Sequence, residues 1–97
     1  IRDRYLHVIL MNMKNQKDWN ISIKRHLKAE MIKRGITSDD LSRLLQEKGV
    51  AYSKSSIDSK ISRGKFSAAF FIQCLSALNC KSIDIEQIAE QTDSNEK

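Results

Sequence analysis

The sequence predicts an all-α fold, a compact domain of four to five helices, and three observations lead there. Proline is absent and only three glycines occur, at 35, 49 and 64, so the turn residues that a sheet of hairpins consumes are missing. Each glycine stands where an apolar pattern of helical period stops, the usual place for a left-handed residue just past a helix end. Apolar residues make up 40% and charged residues 30% of the 97, a globular balance. No run approaches the roughly 20 apolar residues of a membrane helix, so a soluble chain with one core is expected.

The first helix is expected over about residues 20–34, capped by Asn20, with Ile23, Leu27 and Met31 on one face and Lys24, Arg25, Lys28 and Lys33 around it. Thr37 then opens a T-x-x-D capping pattern with Asp40, and Leu41, Leu44 and Leu45 form the stripe of a second helix over 37–48. Ser53 caps a third helix over 53–63, whose apolar edge is only Ile57 and Ile61. From Ser67, the next cap, the run Ala68, Ala69, Phe70, Phe71, Ile72, Cys74, Leu75, Ala77 and Leu78 is apolar almost all round, as in a central helix packed on several neighbours. Ile83, Ile85 and Ile88 predict one packed turn or short helix, and 93–97 a frayed end.

Charge divides the chain in the same way. The segments 1–17, 18–80 and 81–97 carry net charges of +3, +5 and −3, so an N-terminal arm, a basic helical domain and an acidic, partly ordered tail are expected. In the arm, Leu6, Val8, Ile9, Leu10, Met11 and Met13 fit neither a helix nor a strand. Such an apolar stretch either packs on a partner subunit or is an addition ahead of a start at Met11 or Met13, and it lacks the small-residue cleavage site of a signal peptide. Cys74 and Cys80 are too few for a disulfide framework, which points to a reducing cytoplasm. With only His7 and His26 besides, no metal-ligand spacing exists, and neither metal nor cofactor is expected.

Two short helices between a supporting helix and an apolar one have the layout of a helix-turn-helix, whose second member is held by one edge and offers the rest to a DNA major groove. With Ile57 and Ile61 inward, Ser55, Ser56, Ser59, Ser62 and Arg63 face outward, and Asp58 and Lys60 lie on the flanks. Serine hydroxyls permit close approach to the groove floor but discriminate poorly between base pairs, while Arg63 can grip a guanine or a phosphate. The segment Arg63, Gly64, Lys65, Phe66 and Ser67 joins two cations to the free amides of the fourth helix and holds no acid, which makes it the first phosphate clamp. Ser38 is a secondary candidate, because Asp39 and Asp40 beside it repel a phosphate.

Ile23 through Leu27, Lys33-Arg34-Gly35-Ile36-Thr37, Asp40-Leu41-Ser42, Gly49-Val50, Lys60-Ile61-Ser62-Arg63-Gly64 and the helix with Leu75 and Leu78 together resemble the Cro/C1, or xenobiotic-response-element, type of regulator. The likeness covers about 60 residues and implies a lambda-repressor-like fold. The stretch from Lys60 to Leu75 more closely resembles a small bacterial domain family of unknown function, held to be a variant of that fold. Departures from the regulator pattern are Ser38 in place of Gln, Ser42 in place of Ala, Ser62 in place of Glu, and a delayed glycine after Leu45. The longer connection should tilt or shift the third helix.

The expectation is therefore a DNA-binding transcriptional regulator that acts on duplex DNA through 53–63, as a homodimer because one short helix makes few contacts. The other class considered is a protein-interaction or adaptor module on the same scaffold, for which an exposed Phe66 would be the sign. An enzyme is not expected, since the one imaginable pairing, Cys74 with His26, places the thiol in the central helix.

Overall fold

The computed structural model describes residues 15–94, with side chains to residue 90. They form five α-helices and no strand: α1 (Gln16–Arg34), α2 (Ser38–Glu47), α3 (Lys54–Arg63), α4 (Ala68–Ala77) and α5 (Ile85–Ser94). The expectations for the apolar arm fall on residues outside that range. Within it, no helix is long and apolar enough to cross a membrane.

Local signals set the helix ends. Thr37 and Asp40 close a reciprocal capping box on α2, and the Ser53 and Ser67 side chains accept from the third amides of α3 and α4. α1 departs from expectation by starting before Asn20, because Asn15 and Asp18 form a capping box of their own. That adds a turn bearing Gln16, Lys17 and Trp19.

The core gathers Leu27 and Met31 of α1, Leu41 and Leu45 of α2, Ile57 and Ile61 of α3, and Phe70, Phe71, Cys74 and Leu75 of α4, with Leu78 and Ile88 closing it. α1 buries two adjacent stripes. Beside the half-buried Ile23 and the buried Leu27 and Met31 run Ser22, His26 and Glu30, also buried, and α1 packs on both α4 and α5. The second stripe is polar and gives no amphipathic signal. Glu30 satisfies it in part through ion pairs with Arg34 and with Lys33 at 3.6 Å, while the His26 Nδ1 has no hydrogen-bond partner.

One expectation changes here and another is met. α4 is not buried all round, for Ile72 is 50% exposed and Ala68 and Ala69 face outward. The region after Cys80 forms a ten-residue helix, capped by Asp84, whose Ile88 and Ala89 are buried where it packs along α1.

Candidate nucleic-acid interface

α3 is fixed to the body by Ile57, fully buried, and Ile61. Its opposite side is polar: Ser55, Ser62 and Arg63 are exposed, while Ser56 and Ser59 are half-buried. Ser53 Oγ lies 3.2 Å from Ser55 Oγ, and Lys54 donates to Asp58 at 2.7 Å. That bond, followed by one from Ser38, holds the Asp58 carboxyl below its ordinary pKa, so the acid is matched where it stands.

Two sequence candidates are occupied within the protein. The Ser38 hydroxyl, half-buried at the start of α2, stands close enough to Asp58 of α3 to help lower that carboxyl's pKa, so it sits beside the protein's own acid. Lys60 is half-buried, with its Nζ 5.5 Å from the Tyr52 ring centre and 5.6 Å from that of Phe70, a cation–π arrangement that draws it off the outer face. The α2 end is strongly acidic, and Arg43 is engaged there by both Asp39 and Asp40.

The longer connection between α2 and α3 is tethered. Ser42 Oγ donates to the Tyr52 carbonyl at 2.6 Å, and Val50 N–H donates to the Leu45 carbonyl at 2.9 Å. The Ser42 hydroxyl thus ties down the connection that leads into α3.

The α3–α4 corner gathers the remaining candidates. Gly64 ends α3 at φ +67°, a left-handed conformation that turns the chain sharply between Arg63 and Lys65. Both cations are exposed and make no ion pair among the described residues. Ser67, also exposed, accepts from the Phe70 amide at 3.0 Å, and the first amides of α4 beyond it remain open, as at any helix start. Phe66 is half-buried, 5.3 Å from Phe70 and 6.1 Å from Phe71 between ring centres, so it anchors the corner and is not a partner-facing residue.

Sequence reasoning missed what α1 brings to this corner. Lys24 reaches across the end of α3, its Nζ donating to the Ser62 carbonyl at 3.1 Å. The extra turn of α1 sets Lys17 beside it. Lys17, Lys24, Arg63 and Lys65, with Asn20 and Gly64, line an open groove of about 420 Å³ that no carboxylate of the described residues lines. The signal was present as the helical spacing of Lys17, Lys24 and Lys28, but it carries weight only once the helix begins before residue 17.

Among the described residues, no group of His, Cys, Asp and Glu is arranged to hold a metal ion. Burial pushes the Cys74 thiol up to about 12, which leaves it protonated and inert at neutral pH.

No curated protein and no solved structure matches the chain. Residues 19–83, which span α1 from its first turn through α4 to the threshold of α5, match the model of a domain of unknown function, DUF6471. That segment is more than half of the chain and includes the whole α3–α4 corner, and the protein belongs to this family.

Proposed function

We propose that this protein binds duplex DNA as a transcriptional regulator, with α2 and α3 acting as a helix-turn-helix and α3 entering the major groove. One observation carries the reading: the exposed face of α3 runs into two cations, Arg63 and Lys65, that make no ion pair among the described residues, beside the open amides of α4. Base contact falls to Ser55, Ser62 and Arg63, and phosphate contact to Lys65, Ser67 and the α4 amides. Since hydroxyls read bases loosely, affinity is carried mainly by phosphates. A homodimer would supply two half-sites about 34 to 36 Å apart.

The test is titration of a fluorescent duplex of mixed sequence in rising salt. With three or four phosphates neutralised at the α3–α4 corner, that corner alone should contribute about −3 to the slope of log affinity against log salt. The double variant Arg63→Ala, Lys65→Ala should flatten that slope by about 2. Absence of binding to any duplex at low salt rules the reading out.

A second reading, a protein-interaction module, is favoured by Ile72. It lies half exposed between two shallow grooves of about 300 and 280 Å³, one edged by Val50 and the other by Ile83. On that reading Ile72→Glu abolishes partner capture while Arg63→Ala, Lys65→Ala leaves it intact.

A further inference from the structure

We infer that Lys17, Lys24 and Lys28 of α1 form a second phosphate track, along which the backbone of a bound duplex continues after it leaves the α3–α4 corner. The inference rests on the DNA-binding reading above and adds to it a site on a different helix. All three lysines fall within a narrow sector of α1, on the flank of the Ile23, Leu27 and Met31 stripe opposite to Ser22, His26 and Glu30. The track therefore faces α3, and Lys24 is fixed there by the Ser62 carbonyl.

Three features distinguish this arrangement from an ordinary solvated lysine face. Lys17 and Lys24 converge with Arg63 and Lys65 on one concave groove in which no described carboxylate stands, so their like charges repel, and Lys28 continues the row into the adjoining groove, where the one described carboxylate, Asp58, is already paired with Lys54. Lys24 is half-buried and bonded, which holds one charge at the point where the two helices meet. The line also has useful length: from Lys17 to Lys28 the helix rises about 16 Å, the axial length of roughly five base pairs. A single small anion would fill only the corner, whereas a polyanion of regular spacing matches the whole track. Duplex DNA is the occupant that is also continuous with the exposed face of α3.

The measurement is the salt dependence of binding of the full 97-residue chain to one fluorescent duplex of about 20 base pairs. The variant is Lys17→Ala, Lys28→Ala; both side chains are exposed, so an unchanged thermal melt is expected. Two lost phosphate contacts should flatten the slope by about 2. Lys48→Ala, an exposed lysine at the Ile72 groove, should leave the slope unchanged. If the α1 variant keeps the wild-type slope while Arg63→Ala, Lys65→Ala loses it, the track is refuted and the DNA reading stands. If the wild-type protein binds no duplex, both fall together.

Discussion

Replacing Gly64 with alanine tests the contact between α1 and the end of α3, and Gly35 supplies the matched control. Both glycines end helices in the left-handed region, at φ +67° and +66°, so alanine at either meets the same backbone strain. That strain is about 1 to 2 kcal/mol, partly offset by the smaller entropy of the unfolded chain. The surroundings differ. A Cβ at Gly35 would have nothing within 4 Å, whereas one at Gly64 would lie 3.3 Å from Lys24 Cδ and 3.8 Å from the Asn20 carbonyl oxygen. The lysine must give by a few tenths of an ångström, which strains its hydrogen bond to the Ser62 carbonyl, a loss bounded by the net worth of that bond, about 0.5 to 1.5 kcal/mol. Gly64→Ala should therefore be destabilised by about 1 kcal/mol more than Gly35→Ala, or roughly 4 to 8 °C in melting temperature for a domain of this size. Thermal unfolding followed by far-UV circular dichroism measures both. In a Lys24→Ala background the difference should close. Equal melting of the two glycine variants in the wild-type background would refute the claim that Lys24 packs on this corner.

Other outcomes follow from burial. Ile57 is fully buried, so Ile57→Ala should lower stability to urea by about 2 to 5 kcal/mol, while Ser55→Ala on the open face should change it by less than about 0.5 kcal/mol. Burial holds His26 below its ordinary pKa of 6.5, so below that pH the unfolded chain takes up a proton that the folded protein refuses. Stability should then decline as pH drops through 6.5, and His26→Gln should remove that part of the pH dependence. Burial alone would raise the Glu30 carboxyl, but Arg34 and Lys33 outweigh it and hold its pKa below 4.5. A second decline therefore belongs below pH 4.5, as that carboxylate is protonated. With Cys74 at about 12 and buried, a thiol reagent at mildly alkaline pH should label only the half-buried Cys80 in the native protein.

The helix ends at Thr37, Ser53 and Ser67 could be read from sequence because a capping side chain acts on amides two or three residues away. The Ile57 and Ile61 edge could be read because two apolar residues one turn apart in a polar segment have only one way to be buried. The start of α1 could not. The Asn15–Asp18 box encloses Gln16 and Lys17 and precedes Asn20, a polar turn with no apolar stripe to carry the Ile23, Leu27 and Met31 pattern back to it. For the same reason Ser22, His26 and Glu30 gave no sign that they are interior.

At the candidate site, proximity along the chain decided what was visible. Arg63, Lys65 and Ser67 are neighbours in sequence and stay neighbours in space. The approach of Lys60 to the Tyr52 and Phe70 rings and the reach of Lys24 to Ser62 are contacts between distant segments. Each depends on how the helices pack, and no local spacing encodes it. Ile72 shows the converse: an apolar residue in an apolar run reads as core, yet α4 leaves it half exposed among the described residues.

The central claim is that the outer face of α3 and the corner after it meet duplex DNA. Amide chemical-shift mapping of the labelled protein, titrated with a short duplex at low salt, tests it residue by residue. The largest shifts are expected over residues 53–69, centred on Ser55, Ser62, Arg63 and Lys65, with Ile72 and the start of α5 unmoved. Shifts confined to the Ile72 grooves, or none anywhere, would contradict it.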